Sequence, residues 1–154
     1  MKKFLPVLMA LVIPSIAVAE DWRKGDDNQQ KLDNVVKVIP GASTIMLQMG
    51  ERYRNMYWAG KQGKWTFAEY QLEEIEELIK TLIITRPKRA VTAEHFLKEA
   101  FTELSPAIRQ KNWPVFNKAF LHMRKACVEC HAQNQHAYIT LSATPSKGNS
   151  PVLD

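Results

Sequence analysis

Cysteine is scarce in this chain, which has two in 154 residues. Both lie in one short stretch near the C-terminus, Cys127-Val128-Glu129-Cys130-His131. Two thiols can form at most one disulfide, so a small fold held together by several bridges is excluded. The chemistry to be explained is therefore that of these two thiols and of the histidine that follows them.

Long apolar runs are also rare. One long apolar run spans residues 4–18 and follows Lys2 and Lys3. The small residues Ala17 and Ala19 lie at its end. It is shorter than the roughly 20 residues that a membrane-spanning helix needs. A basic start, an apolar stretch and a small-x-small site are typical of a cleavable signal peptide, with an uncleaved anchor as the alternative. We therefore expect a periplasmic protein without stable membrane insertion.

The chain has only a modest excess of positive charge. The formal net charge is +5, and Lys2 and Lys3 would leave with the signal peptide, so the mature chain is only mildly basic. No basic stripe with interleaved aromatic residues is present, which argues against a nucleic-acid partner. The remaining length corresponds to one small domain.

The C-x-x-C-H stretch is typical of covalent haem attachment. Two thiols bind the vinyl groups of the porphyrin, and the adjacent imidazole binds the iron. On a helix, Cys127 and Cys130 lie on the same face, and His131 directs its ring to the same side. The sequence therefore predicts one covalently bound haem c, with His131 as the proximal iron ligand and its Nδ1–H held by a backbone carbonyl or by water.

Three other uses of the thiols stay open. A thioredoxin-like redox pair needs a βαβ setting, which the surrounding sequence does not offer. A zinc site would need further ligands such as His122 and His136. A structural disulfide is the third alternative. The export signal favours haem, because haem c is attached outside the cytoplasm.

The spacing of apolar residues predicts helices separated by short breaks. After a signal peptide at residues 1–19 comes a polar lead-in over residues 20–42, with at most a helical turn. A first helix is expected over residues 43–60. A second begins at Thr66, where Glu69 completes a capping box.

The second half of the chain predicts two more helices and a tail. A third helix starts at Thr92 and is kinked or restarted at Pro106, because proline removes a backbone hydrogen bond. A fourth starts near Asn112 and continues through the haem motif towards Tyr138. Serine, proline and glycine then indicate an irregular tail over residues 141–154.

Four amphipathic helices with short loops imply an all-α, antiparallel four-helix bundle over residues 43–140. With the haem motif on its last helix, the chain resembles the class II c-type cytochromes, which include cytochrome c′. The other large class of c-type cytochromes places the motif near the N-terminus, with a methionine ligand far downstream. No methionine follows His131 in this sequence.

The chain is also similar to a set of exported single-haem bacterial proteins known mainly by sequence. The residues that carry this second likeness are Gly63-Lys64-Trp65 after the first helix, the turn at Arg86-Pro87, and the proline-containing tail. This likeness implies no established activity.

The class II resemblance implies that a sixth iron ligand would come from the first helix. In Met-ligated members a methionine of that helix binds the iron, and the matching position here is Met46. Met49, one turn further on, is the second candidate. In cytochrome c′ the position holds a bulky apolar residue and the site stays open. Core packing of both methionines and ligation by a second histidine are the alternatives.

Arginines near this helix face are candidates for the haem propionates. Arg52 and Arg54 flank the apolar stripe, and guanidinium and carboxylate groups can pair bidentately. The alternative is that both are solvated. The basic loop that ends with Lys88 and Arg89 is a candidate for steering an acidic redox partner.

The function expected from these residues is one-electron transfer between redox partner proteins. The alternative is a five-coordinate haem protein that binds or buffers small gases such as nitric oxide. An enzyme is not expected, because no acid–base pair can be placed beside the haem. A homodimer stays open, because the resemblance implies it: class II bundles often pair through their first two helices. Four aromatic residues are candidates for such an interface, with core packing as the alternative: Tyr53, Tyr57, Trp58 and Phe67.

Overall fold

A computed structural model describes Asp21 and residues 27–148, and within them every regular element is helical, as predicted. The helices are α1 (Asn28–Val38), α2 (Ala42–Lys61), α3 (Trp65–Thr85), α4 (Ala90–Arg109) and α5 (Trp113–Gln133), with a short 3₁₀ helix at Pro87–Arg89. None of these helices is long and apolar enough to cross a membrane. The expected signal peptide, residues 1–19, lies outside the described residues.

The chain divides into two compact units at the boundary between Val38 and Ile39. The first unit contains α1, an 11-residue helix with no buried residue. Asp27 starts this helix, because its Oδ1 accepts a hydrogen bond from the amide of Gln29 at 2.8 Å. The lead-in is thus more helical than the single turn that its mixed polarity indicates.

The second unit contains four long helices. Each packs against the next in the chain, and α2 also packs against α5, which is compatible with a helical bundle. All four contribute to one core, whose largest fully buried apolar side chains are Phe116, Phe120, Ile45, Met56, Ile75, Leu104, Ile108 and Met123.

The starts of α2 and α3 differ from the sequence prediction. Helix α2 begins at Ala42 behind Gly41, with no side-chain cap. Helix α3 begins at Trp65, and its N-cap Lys64 makes no side-chain capping bond, so the predicted capping box of Thr66 and Glu69 is wrong. Gly63 has a φ of 71°, a left-handed conformation that reverses the chain earlier and places Thr66 inside the first turn.

Helix α4 runs without a break through Pro106, so the predicted restart at this residue is wrong, whereas the predicted kink stays a prediction. Pro106 lies in the last turn, where the helix loses one hydrogen bond shortly before its end at Arg109. The helix also starts at Ala90 and not at Thr92, because the 3₁₀ helix leads directly into it.

Helix α5 begins as the sequence predicts and ends earlier. The side chain of Asn112 caps it by accepting a hydrogen bond from the amide of Val115 at 3.2 Å. It ends at Gln133 and not near Tyr138. Gln135 has a φ of 66°, and this left-handed residue turns the chain back.

Residues 134–148, which we call the strap, follow α5 without forming another helix. Residues 141–148 are irregular, as predicted for the start of the tail. Side chains of α2 nevertheless hold this part of the strap: the Tyr53 hydroxyl donates to the carbonyl of Ser142 at 2.6 Å, and Trp58 Nε1 donates to that of Pro145 at 3.0 Å. Residues 149–154 lie outside the described part.

The aromatic residues considered for a dimer interface lie mostly in the core. Tyr53 and Tyr57 are buried, and both rings pack against Phe120, with centroids 4.5 and 5.1 Å apart. Trp58 and Phe67 are partly buried against the same core. The aromatic excess therefore gives no separate support for an interface.

Candidate haem-attachment site

The C-terminal part of α5 presents the two thiols and the histidine to a common region. Cys127 and Cys130 each line one of two adjacent cavities, and His131 lines both. We call these the Cys127 cavity, of about 230 Å³, and the Cys130 cavity, of about 310 Å³. The helical spacing thus brings the three residues together as the sequence predicts.

Both thiols are protonated at neutral pH. Burial, and secondarily the neighbouring Cys130, raise the pKa of the Cys127 thiol to about 12. Burial also raises the pKa of Cys130, whose thiol lies 3.7 Å from the carbonyl oxygen of Thr92. A redox-active pair needs the opposite shift, because the thiolate is the reactive form. The burial of the two thiols therefore disfavours a redox-active pair.

The other histidines do not complete a zinc site. His122 Nδ1 lies 3.3 Å from Glu103 Oε2, and His136 Nε2 lies 3.3 Å from Arg89 Nη2. Within residues 27–148 no group of three or more histidine, cysteine or acidic side chains is arranged to hold a metal ion.

The residues around the two cavities fit a haem. Three residues line both cavities: Met46, His131 and Ile139. Ligand pockets in proteins are about 300–1,000 Å³, mostly apolar, with few polar groups. The paired cavities reach this range, and the walls of the Cys127 cavity include Ile75, Phe96 and Met123. Two thiols and an imidazole on one side of such a space are the donor set that haem c requires.

The strap contacts the imidazole of His131. Its Nδ1 lies 3.2 Å from the carbonyl oxygen of Ile139. A carbonyl can only accept a hydrogen bond, so this contact requires the proton on Nδ1, and in the neutral ring Nε2 then keeps its lone pair. This is the form of imidazole that binds a metal, and its partner is a backbone carbonyl, one of the two partners expected from the sequence.

Both candidate methionines face this region. Met46 and Met49 line the Cys127 cavity, and Met46 lines the Cys130 cavity as well. Met49 is buried, with 9% of its surface exposed, whereas Met46 is half-buried. Met46 thus lines both cavities, as His131 does.

The structure does not bring Arg52 or Arg54 to either cavity. Arg52 Nη2 pairs with Glu74 Oε2 at 3.1 Å, and Arg54 pairs with Glu51. The cavity side of α2 carries residues at helical spacing from Met46, and both arginines lie off that face. The prediction that they bind haem propionates is therefore not supported.

Arg89 is the basic residue that lines the Cys130 cavity, together with His136 and Tyr138. No acidic side chain is among the residues that line this cavity. The basic loop was visible in the sequence, but its pairing with a histidine 47 residues away was not. Only the tertiary fold brings the loop and the strap together.

Comparisons with known proteins identify no relative. No protein family, curated protein or solved structure matches the chain. The resemblance to class II cytochromes therefore rests on the haem motif and on the order of the helices.

Proposed function

We propose that the mature chain is a periplasmic c-type cytochrome with one haem that carries single electrons between redox partner proteins. The observation that carries this proposal is the placement of Cys127, Cys130 and His131 on one helix, beside two adjacent cavities that Met46 of α2 also lines. When bound, haem supplies an iron that alternates between the ferric and ferrous states.

The fold in this proposal is an antiparallel four-helix bundle. Helices of 20 or 21 residues are joined by connections of three to four residues. Such short connections favour consecutive helices that run in opposite directions. The last helix then lies beside the first helix of the bundle, in agreement with the packing of α5 against α2.

Each residue has a distinct role in the proposal. Cys127 and Cys130 hold the porphyrin through thioether bonds, and His131 Nε2 binds the iron. Met46 is the preferred sixth ligand because it lines both cavities, whereas Met49 lines one. A methionine opposite a histidine favours a high reduction potential and therefore electron transfer.

Electron exchange would take place at the rim of the Cys130 cavity. Tyr138 is 79% exposed at this rim, beside Arg89 and His136. Positive charge around the exposed edge of a cofactor steers negatively charged partners to it. We therefore propose an acidic surface on the redox partner.

Binding of a small gas is the second candidate function. The observation that favours it is the apolar wall of the Cys127 cavity, which adjoins Met46. If Met46 lies near the iron without binding it, a molecule such as nitric oxide has an open coordination position and an apolar cavity beside it.

An absorption spectrum of the reduced protein, with and without carbon monoxide, distinguishes these functions. The parent is expected to show a six-coordinate spectrum that carbon monoxide does not change. Met46→Ala is expected to bind the gas, because it opens the sixth position. Met49→Ala, which also shortens a methionine of α2 at the Cys127 cavity, is the matched control and is expected to behave as the parent.

Each other outcome of this experiment has a definite meaning. Rapid binding of carbon monoxide by the parent would contradict electron transfer and favour gas binding as the function. Gas binding by Met49→Ala alone would identify Met49, and not Met46, as the sixth iron ligand. An unchanged spectrum in both variants would exclude both methionines and favour a second histidine.

A further inference from the structure

The strap returns to His131 directly after α5. The amide of His136 donates to the carbonyl of His131 at 2.8 Å, and the amide of Ile139 donates to the carbonyl of His136 at 2.9 Å. These two turns bring the Ile139 carbonyl oxygen to 3.2 Å from His131 Nδ1. The partner of the imidazole thus belongs to an irregular segment that a helix does not hold in place.

Two side chains from different helices fix the strap just beyond Ile139. Arg124 Nε on α5 donates to the carbonyl of Leu141 at 2.7 Å. The Tyr53 hydroxyl on α2 donates to the carbonyl of Ser142 at 2.6 Å. Because the two anchors follow Ile139 by two and three residues, they restrict the position of its carbonyl.

The side chain of Tyr53 is buried in the core, with its hydroxyl directed to the strap. It is 6% exposed, its ring lies 4.5 Å from that of Phe120, and it lines the Cys127 cavity. Burial raises the pKa of its hydroxyl well above the ordinary value, so the group stays a hydrogen-bond donor at neutral pH. A buried hydroxyl without a partner is costly, which stabilises the anchored position of the strap.

We propose that Tyr53 and Arg124 are positioning residues for His131. They hold the strap so that the Ile139 carbonyl stays on Nδ1, which keeps the ring in the tautomer whose Nε2 can bind iron. The consequence for the iron rests on the proposed function, whereas the tautomer does not depend on it.

The hydrogen bond affects the iron through the donor strength of the imidazole. A carbonyl that accepts from Nδ1–H makes the ring more basic, which stabilises the ferric state. Loss of an anchor weakens this bond and raises the reduction potential. Groups that hydrogen-bond to a metal ligand change metal affinity or activity about 10–100-fold.

The test uses the full chain with two conservative variants, Tyr53→Phe and Arg124→Lys. The first removes one hydroxyl, and the second removes the Nε donor and keeps the charge. In the haem-loaded protein, each is expected to shift the ferric–ferrous equilibrium constant about tenfold towards the ferrous state, about 59 mV for one electron. The potential is read by spectroelectrochemical titration.

A second measurement works without haem. Nitrogen-15 NMR of His131 in the haem-free full chain is expected to show a protonated Nδ1 in the parent and a mixture of tautomers in both variants. Tyr70→Phe is the control, because it removes the same group from a residue that is 44% exposed and packs beside Phe67 and Arg52. Circular dichroism verifies that all variants keep their helices.

Equal potentials in the two variants and in Tyr70→Phe would overturn the proposal. An unprotonated Nδ1 in the folded parent would overturn it as well. A parent that takes up no haem contradicts the proposed function, and the tautomer measurement then decides on the positioning role by itself.

Discussion

At the scale of single residues, the motif and its surroundings carry different information. The spacing of Cys127, Cys130 and His131 predicts which side chains share a face, and the structure brings them together. Spacing also predicts that Met46 and Met49 lie on one side of α2. It does not predict partners that are distant in sequence, so the pairing of Arg89 with His136 was not foreseen.

The prediction for Arg52 and Arg54 shows that residues close in sequence can lie apart in the structure. Arg52 and Arg54 are close in sequence to the candidate methionines, but a helix rotates neighbouring residues to different faces. Arg52 contacts α3 through Gln71 and Glu74 as a result. Proximity along the chain was thus a poor guide to proximity at the site.

Arg89→Gln tests the charge at the rim of the Cys130 cavity. Removal of a positive charge near the haem favours the ferric state, so we expect the reduction potential to fall by the equivalent of about 1 kcal/mol or less, because the group is partly exposed. Titration of the potential at low ionic strength measures the effect. Arg52→Gln is the matched control, and an equal change in both variants would contradict a role for Arg89 at the cofactor.

At the scale of helices, amphipathic spacing predicts which segments are helical. It does not predict the residues at which these helices begin and end. The four long helices are where the apolar periodicity predicts them, because burial of one face determines their position. Their ends depend on local backbone geometry, such as the left-handed Gly63 and Gln135. The sequence predicts an irregular chain only from residue 141, so the first part of the strap, predicted as helix, differs from the structure. The anchors of the strap to Tyr53 and Arg124 depend on tertiary packing.

Gly60 of α2 lies directly against the ring of Phe116 on α5. A methyl group at this position would overlap the ring of Phe116, which is fully buried. We expect Gly60→Ala to lower the free energy of unfolding by about 1–3 kcal/mol, because overpacking outweighs the better helix propensity of alanine.

Gly50→Ala provides the control for this comparison. Gly50 lies in the same helix and lines the Cys127 cavity, and in the haem-free chain a methyl group there would meet no atom within 4 Å outside the neighbouring backbone of its own helix. It should raise the free energy of unfolding by up to about 1 kcal/mol through helix propensity alone. Urea denaturation followed by circular dichroism measures both variants, and a stable Gly60→Ala would show that the two helices are further apart than described.

At the scale of the whole molecule, the sequence predicts one domain after a lead-in. The structure places the boundary between Val38 and Ile39, close to the predicted end of the lead-in at residue 42. The buried hydrophobic core of the described part lies between Ile45 and Ala126, and Pro145 of the strap is buried as well. The spacing of apolar residues therefore predicts the order of the helices. The packing of α2 against α5 is seen only in the structure.

Removal of residues 20–38 from the mature chain tests this boundary. Because α1 contributes no buried residue, the shortened chain is expected to keep the melting temperature of the full one within about 2 °C. Differential scanning calorimetry of the two haem-loaded proteins measures it. A large drop would show that the unit beginning at Ile39 is not stable by itself.

The proposed function requires covalent attachment of haem, and the mass of the denatured chain after export is its direct test. The protein is produced in cells that have the apparatus for c-type cytochrome maturation and is then treated with a thiol-alkylating reagent under denaturing, reducing conditions. We predict a chain that begins near Glu20, carries the mass of one haem and gains no alkyl group. Loss of the haem in a variant with both Cys127→Ala and Cys130→Ala would locate the attachment. A parent chain without haem, alkylated at both cysteines, would contradict the account.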